Sequence, residues 1–277
     1  MLIQEIEAKS ILTKSNIPSV DLVVNPYVGC EHGCIYCYAD FMKRFTNHHE
    51  PWGEFIDVKK NGADLVKPRG QYNGKEVLFS SVTDPYLPHE RKFQVTREIL
   101  KKLVEHQPRI SILTKSELVT RDIEIFKQFQ DIDIAISVST INNELAKQLE
   151  PRASLPLRRF DALKECKDAG LTTHVFISPI FPFITETEQI MQIMVNHVDY
   201  YSFENLNVRP NNRKQVFNFI KRNRPDLVSD YKKIYGRPPD NSYWELTSQS
   251  IQELGKKYNV KCNIHFHHGG FSKNKKS

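Results

Sequence analysis

Three of the five cysteines in this chain lie within eight residues, at Cys30, Cys34 and Cys37, with a C-x3-C-x2-C spacing. Gly29 and Gly33 interrupt the same segment, which lets a short loop turn around a common centre. Iron–sulfur clusters are normally held by four cysteine thiolates. Three clustered thiolates therefore suit an iron–sulfur cube in which one iron keeps an open position, where a metal can act on a bound small molecule.

The cysteine segment resembles the signature of the radical S-adenosylmethionine (radical SAM) superfamily, because an aromatic residue, Tyr36, comes just before the last cysteine. The wider pattern is similar to the spore photoproduct lyase-like branch of that superfamily. It covers roughly residues 20–210 and continues through later segments at residues 83–86, 112–116, 137–139 and 150–152.

This resemblance implies an enzyme with two cofactors, a [4Fe-4S] cluster and SAM. The amino and carboxylate groups of SAM would chelate the iron that no cysteine holds. One electron from the cluster would then cleave SAM to a 5′-deoxyadenosyl radical, which abstracts hydrogen from an unidentified substrate in lyase- or transferase-type chemistry. A reductant such as flavodoxin or ferredoxin is the implied partner.

A structural zinc site is the alternative interpretation of the cysteines, with His32, His48 or His49 as a fourth ligand. Zinc sites are usually completed by a second pair of ligands at a fixed spacing, and no such pair follows at that distance. A disulfide scaffold fits less well still, because the cysteine count is odd and no secretory leader is evident.

The composition is that of an ordinary soluble protein: 277 residues, 39% hydrophobic and 26% charged. No apolar run is long enough to cross a bilayer, so we expect a cytoplasmic protein without a membrane partner. The net charge of +6 is compatible with nucleic acid as a partner, and equally with a solvated lysine-rich surface. Nothing in the residues indicates an oligomeric state.

Apolar strands alternate with amphipathic helices after the cysteine loop, which predicts an α/β fold with a parallel sheet buried on both faces. Six such units indicate a partial (β/α)6 TIM-type barrel, as the resemblance also implies. The predicted strands are residues 22–25, 76–82, 109–114, 133–139, 171–177 and 200–208. The predicted helices are residues 95–106, 121–130, 142–149, 157–169 and 187–198.

We divide the chain into four parts. Residues 1–19 form an N-terminal extension and residues 20–210 the radical SAM core. Residues 211–268 close the barrel or form a lid, with a helix at 248–258 and a last strand at 260–267. Residues 269–277 are a disordered basic tail.

In such barrels the chemistry collects at the carboxyl ends of the strands. The second strand ends in a polar group where the family places contacts to the amino group of SAM: Ser80, Ser81, Thr83 and Asp84. The third ends at Lys115, where a lysine of the related lyases contacts the SAM carboxylate; a solvated loop lysine is the alternative.

Tyr36 and Tyr38 are expected near the adenine of SAM or near the cluster, with ordinary loop packing as the alternative. Ser137 and Ser139 face the same side of the fourth strand, where the SAM ribose could bond to their hydroxyl groups. Arg158 is a further candidate for SAM binding.

Other polar residues at strand ends are candidates with less specific roles. Glu150, Arg152 and Arg158 could line the same mouth, or a structural ion pair could form among them. Three residues at the sixth strand are candidates for contacts to SAM or substrate: Glu204, Asn207 and Arg209.

Two cysteines lie outside the motif. Cys166 falls on the apolar face of a helix and is predicted to be a buried core residue. Cys262 alternates with His265 and His267 along the last predicted strand, so the histidines face the opposite side. We expect polar contacts to substrate or SAM there rather than a second metal site.

Spore photoproduct lyase carries a hydrogen-donating cysteine three residues before the aspartate of its second strand, and Ser81 stands at the matching position. A serine O–H bond is much stronger than a thiol S–H bond, so serine donates a hydrogen atom poorly. Tyr86 is the candidate donor in its place. This departure counts against the route of the lyase. Repair of a nucleic-acid lesion, indicated by the branch resemblance and the basic charge, is one alternative function, and a non-catalytic iron–sulfur or zinc-binding module is another.

Overall fold

The computed structural model describes residues 1–67 and 72–266. The predicted basic tail, and His267 at the end of the last predicted strand, lie outside these residues. The strands are β1 (Leu2–Ile6), β2 (Leu12–Lys14), β3 (Leu22–Val24), β4 (Tyr27–Val28), β5 (Phe55–Lys59), β6 (Glu76–Phe79), β7 (Arg109–Thr114), β8 (Ile132–Val138), β9 (Thr172–Ile180), β10 (Tyr200–Asn205) and β11 (Lys261–Ile264).

The helices are α1 (Glu90–Phe93), α2 (Val95–Val104), α3 (Ile123–Phe126), α4 (Asn143–Leu149), α5 (Pro156–Asp168), α6 (Thr187–Met194), α7 (Pro210–Asn223), α8 (Val228–Ile234) and α9 (Ser242–Lys257). Short 3-10 helices cover Tyr38–Phe45, Ala63–Leu65, Glu117–Asp122, Val195–His197 and Pro225–Leu227. None of the helices in the described ranges combines the length and the apolar character that crossing a membrane requires.

One large sheet forms the centre of the molecule, with the strand order β2-β3-β6-β7-β8-β9-β10-β11. All neighbours from β3 to β11 pair in parallel, and β2 pairs antiparallel with β3 at the edge. The six predicted strands correspond to β3, β6, β7, β8, β9 and β10, and each lies beside the next in sequence. The predicted α/β partial barrel is confirmed.

Apolar spacing explains the helices that cover the sheet. In α2, the side chains of Val95, Ile99, Leu100 and Leu103 recur at helical intervals, and all four are buried against the sheet. Helix α5 begins at Pro156, whose fixed φ suits a first helical residue. Because neighbouring strands pair in parallel, their carboxyl ends lie at one edge of the sheet.

Two element boundaries differ from the prediction for local reasons. The second strand ends at Phe79, because Ser80 has a φ of +80° and the Asn25 side chain accepts hydrogen bonds from the backbone N–H groups of Ser81 and Val82. The helix predicted at residues 121–130 is instead a 3-10 helix followed by the single turn of α3.

A second, three-stranded sheet with the order β1-β5-β4 was not predicted. Strand β1 pairs in parallel with β5, with Leu2 opposite Phe55. Strand β4 pairs antiparallel with β5 and leads directly into the cysteine loop. The first residues of the chain therefore support the sheet that carries this loop.

The residues after 210 extend the core. Strand β11 adds to the sheet beside β10, and a second apolar cluster packs Tyr36 of the cysteine loop against residues of α7 such as Val216 and Phe219. The buried Asn212 amide donates to the backbone oxygens of Tyr36, at 2.9 Å, and Asn207, at 3.1 Å. The C-terminal helices thus hold the cysteine loop from behind.

We expect Asn212→Ala to destabilise the chain by about 1–3 kcal/mol, because it leaves buried backbone oxygens without donors. Its exposed neighbour provides a matched control, and Asn211→Ala should stay within about 0.5 kcal/mol of the parent. Urea unfolding measures both changes. Equal losses for the two variants would show that the buried amide contributes nothing particular to stability.

Candidate functional site

The cysteine loop lies at the carboxyl edge of the barrel, between β4 and the 3-10 helix Tyr38–Phe45. Its glycines are structurally required: Gly29 has a φ of +82°, and a Cβ there would lie 2.4 Å from the Phe55 backbone oxygen. Backbone hydrogen bonds join Gly33 N to Cys30 O, at 3.4 Å, and Cys37 N to Cys34 O, at 3.1 Å. This tight turning keeps the three thiols together.

All three thiols are free and partly buried. Burial raises the pKa of Cys30, and the charges of Asp84 and the other two cysteines raise it further. Burial likewise raises the pKa of Cys34 to about 12 and that of Cys37. A bound metal would offset this cost of burial and deprotonate its thiol ligands. The donor set therefore fits a metal centre.

The histidines considered as zinc ligands have other surroundings. Both ring nitrogens of His48 face carboxylates, Asp57 at 2.7 Å and Glu50 at 3.3 Å, and His49 is exposed. Among residues 1–67 and 72–266, no group of three or more His, Cys, Asp or Glu side chains is arranged to hold a single metal ion. The paired ring nitrogens of His48 are unavailable to zinc, whereas the buried His32 has an Nε2 atom without a partner among the described residues.

Arg152 clamps the cysteine loop from outside. Its guanidinium donates to the backbone oxygens of Glu31 and Gly53 and pairs with the Glu54 carboxylate at 3.0 Å. Its backbone N–H also bonds to the His32 oxygen at 3.3 Å. Of the two roles predicted for Arg152, the structure supports a structural ion pair, although its partner is Glu54.

The loop after β6 is held beside the cysteines by short polar contacts. Thr83 Oγ1 donates to the Gly29 oxygen at 2.6 Å, and the Tyr38 hydroxyl donates to the Ser81 oxygen. The hydroxyl of Ser80 is buried and has no hydrogen-bond partner in the described part of the chain. A buried polar group without a partner indicates a site for a ligand.

The Asp84 carboxylate is bonded within the protein and holds this edge together. Its carboxylate accepts hydrogen bonds from Tyr86 N at 2.8 Å, Thr114 Oγ1 at 2.7 Å and Lys115 N at 2.9 Å. His32 Nδ1 lies 3.4 Å from the same carboxylate. These contacts fix the ends of β6 and β7 relative to the cysteine loop.

Lys115 directs a cation toward the cysteines. Burial lowers its pKa, but the negative charges of Cys34 and Glu150 outweigh burial and raise the pKa above the ordinary value for lysine. The ammonium lies 5.8 Å from the centre of the Tyr36 ring. Within the described ranges it has no hydrogen-bond or ion-pair partner, so it is available to an anionic ligand.

A buried ion pair between Glu150 and Arg159 supports the loop from below. Glu150 also accepts hydrogen bonds from the Tyr36 hydroxyl and from Ser139 Oγ, at 3.2 Å. Burial raises the pKa of Glu150, but the charges of Arg159 and Lys115 outweigh it and lower the pKa below its ordinary value. The carboxylate is therefore ionised and joins the loop to β8 and α5.

The predicted serine pair is satisfied within the protein. The hydroxyls of Ser137 and Ser139 both donate to the Ser178 backbone oxygen, at 2.9 and 3.1 Å. They do face one side, as predicted, but their partner is the neighbouring strand β9. The hydroxyl of Tyr36 is likewise used in the Glu150 network, which leaves its ring as the part that can face a cofactor.

Two sequence-based candidates are corrected by their positions. Tyr86, the candidate hydrogen donor, is fully buried and its hydroxyl donates to Asp122 at 3.1 Å, so it cannot meet a substrate. Arg158 lies on the exposed side of α5 and pairs with Glu117 at 3.0 Å, beside a cavity of about 420 Å³. It is the next residue, Arg159, that points into the network under the cysteines.

The remaining candidates lie at or beyond the last strands. Glu204 accepts a hydrogen bond from Ser178 Oγ at 2.6 Å, and Asn207 accepts from the guanidinium of Arg209 at 3.2 Å. Cys166 is fully buried in the core, as predicted. Cys262 packs partly buried against the same core, on β11.

Sequence reasoning assigned no role to three residues that position the site, Asn25, Arg159 and Asn212, and considered His32 only as a zinc ligand. His32 lies between two motif cysteines, is buried, and has an Nε2 atom without a partner among the described residues. Its position inside the motif was the available signal. Arg159 falls four residues before Leu163, so helical spacing places both on the buried face of α5.

We expect Arg159→Met to cost about 3–5 kcal/mol of unfolding free energy, because it leaves the Glu150 carboxylate buried and unpaired. The adjacent exposed arginine is the matched control, and Arg158→Met should change stability by no more than about 0.5 kcal/mol. Urea unfolding followed by circular dichroism distinguishes the two. A larger loss for Arg158→Met would overturn this assignment of the two arginines.

Comparison with known proteins places this geometry in a family. The radical SAM superfamily model matches residues 24–194. An uncharacterized protein of Methanocaldococcus jannaschii is 36% identical over 222 residues, which cover 80% of this chain and 83% of that protein. A radical SAM Nalpha-GlyT isomerase of Pseudomonas phage M6 is 24% identical over 238 residues, 83% of this chain and 46% of the isomerase.

Among solved structures, spore photoproduct lyase complexed with dinucleoside spore photoproduct aligns with a TM-score of 0.70 and 14% identity, over 96% of this chain and 82% of the lyase. The two proteins therefore share a fold, and the predicted likeness to the lyase branch is confirmed. Since the family model matches more than half of its length, this chain belongs to the radical SAM superfamily.

Proposed function

We propose that this chain is an enzyme in which Cys30, Cys34 and Cys37 hold a [4Fe-4S] cluster, with SAM bound beside it. Membership of the superfamily implies both cofactors. When bound, they supply a 5′-deoxyadenosyl radical, formed by reductive cleavage of SAM, that abstracts hydrogen from a substrate. The observation that carries the proposal is the position of the Lys115 ammonium, which lies 5.8 Å from the centre of the Tyr36 ring inside the cysteine motif and has no hydrogen-bond or ion-pair partner in the described residues.

In this proposal Lys115 binds the carboxylate of SAM. A charge-assisted hydrogen bond to a carboxylate would satisfy the ammonium, which has no other partner in the described residues. Ser80 supplies the buried hydroxyl without a partner, placed at the end of β6 beside the same thiols. Asp84 acts indirectly, because its hydrogen bonds hold the backbone at Lys115 and Tyr86 in place. A reductant such as flavodoxin or ferredoxin delivers the electron.

Repair of a nucleic-acid lesion is the second candidate function, favoured by the shared fold with spore photoproduct lyase. The positions of two residues argue against the route of the lyase itself. Ser81 is a poor hydrogen-atom donor, and the buried, hydrogen-bonded Tyr86 cannot replace it. A rearrangement that returns the abstracted hydrogen to the product needs no side-chain donor, and the phage relative is named an isomerase.

A non-catalytic iron–sulfur or zinc-binding module is the remaining alternative. Metal analysis after anaerobic reconstitution separates it from the enzyme: iron and sulfide together with SAM cleavage support the enzyme, whereas zinc alone removes it. Transfer of deuterium from a substrate to 5′-deoxyadenosine, or from labelled SAM to a product, identifies the substrate.

We expect Cys34→Ala to abolish formation of 5′-deoxyadenosine from SAM and dithionite, because two remaining thiolates cannot hold the cube in place. The protein should stay soluble, since the barrel core lies outside this loop. Cys262→Ala is the control and should retain both iron content and SAM cleavage. Full 5′-deoxyadenosine production by Cys34→Ala would refute the proposed ligand set.

We expect Lys115→Ala to weaken SAM binding by about ten-fold or more, since hydrogen bonds to charged groups contribute about 1.5–3 kcal/mol. The visible absorption of the reconstituted cluster should be unchanged. Lys127→Ala is the control. It removes an exposed lysine directly after α3 and should leave the affinity for SAM at the parent value. Unchanged affinity in Lys115→Ala would assign this lysine to a solvated loop position.

A further inference from the structure

Three exposed aromatic side chains lie on the short 3-10 helix Tyr38–Phe45, which directly follows the cysteine loop. Tyr38 is 43% exposed, Phe41 37% and Phe45 67%. Only one other aromatic side chain in the described chain, Phe183, is exposed to a similar degree. Single exposed rings are ordinary, but clustered apolar groups of this kind mark interaction sites.

The same helix presents a cation on these rings. The Arg44 guanidinium lies 4.7 Å from the centre of the Phe45 ring and 5.4 Å from that of Phe41. It has no hydrogen-bond or ion-pair partner among residues 1–67 and 72–266. The neighbouring Lys43 ammonium donates to the His49 backbone oxygen at 2.9 Å. The one acidic residue of the helix, Asp40, has its carboxylate 3.5 Å from Asn211 Nδ2.

This surface borders the proposed reaction site. The helix begins at the residue after Cys37, and the Tyr38 hydroxyl donates to the Ser81 backbone oxygen at the end of β6. Helix α7 packs against it from the other side. A molecule that covers the exposed rings can therefore extend to the mouth of the barrel.

We propose that the Tyr38–Phe45 helix binds single-stranded nucleic acid, with nucleobases stacked on Phe41, Phe45 and the plane of the Arg44 guanidinium. Aromatic faces combined with unpaired cations are the means by which proteins hold single strands, because every base has a π-face and every linkage a negative charge. The net charge of +6 favours a polyanion. An apolar protein partner would leave the guanidinium buried without a counter-charge, which is unfavourable.

The catalytic meaning of this surface rests on the proposed function, but binding can be measured without turnover. The probe is a fluorescein-labelled thymidine oligonucleotide of about ten nucleotides, within the usual site size for single strands. Fluorescence anisotropy is recorded with the reconstituted full chain at several salt concentrations. A ribonucleotide oligomer of the same length shows whether the strand is DNA or RNA.

Phe45→Ala and Phe41→Ala should each weaken binding about ten-fold, the order of magnitude expected for the loss of one stacked base. Arg44→Gln should weaken binding and also reduce the slope of affinity against salt concentration. The variant loses one positive charge that contacts the strand. The control is Leu246→Ala, which removes an apolar side chain of equal exposure, 65%, from α9 and should bind as the parent does.

The proposal is overturned if the parent binds neither oligonucleotide, or if Phe45→Ala and Phe41→Ala bind as tightly as Leu246→Ala. A concentration-dependent dimer in sedimentation that Phe45→Ala abolishes would assign the surface to a second copy of the chain, and would also overturn the proposal. Formation of 5′-deoxyadenosine by the parent is measured separately. Its absence would refute the proposed function and leave the binding result standing.

Discussion

The Glu150 carboxylate is the group on which the architecture of the site depends. It is buried, ionised and shared among Arg159 of α5, Ser139 at the end of β8 and Tyr36 of the cysteine loop. A buried charge is stable only when its partners remain in place. The Glu150 network therefore fixes the loop that carries the thiols to the barrel, together with the separate contacts made by Arg152, Thr83 and Asn212.

The parallel sheet explains how a few hydrogen bonds can position the residues at the carboxyl ends of several strands. Its strands all end at one edge, so a single carboxylate such as Asp84 can bond to the ends of both β6 and β7. The groups that hold the edge together have their partners inside the protein. At this edge, the groups without partners in the described residues include Ser80 Oγ, His32 Nε2 and the Lys115 ammonium. The bonded groups therefore hold the edge in place, and the groups without partners are the ones that can bind a ligand.

The sequence was sufficient for the elements and the motif, because both depend on local pattern. Strand β7 was predicted to the residue, and the alternation of strands and helices indicated the barrel. Pairing over long range was not visible: β1 is short and largely exposed, and its partner, β5, lies about fifty residues away. Arg158 was predicted to take the inward position that Arg159 occupies, because two adjacent arginines on one helix differ only in the direction in which each side chain leaves the helix. Nothing local marked Tyr86 as buried.

The large sheet also has two ends, since β2 and β11 occupy its opposite edges in the part of the chain that the structure describes. In a closed ring of strands, the site at the carboxyl ends is surrounded by strands and their loops on every side. An arc has a flank through which one portion of a long polymer can enter while the remainder stays in solvent. The bond that reacts can therefore belong to a molecule far larger than the space between the strands.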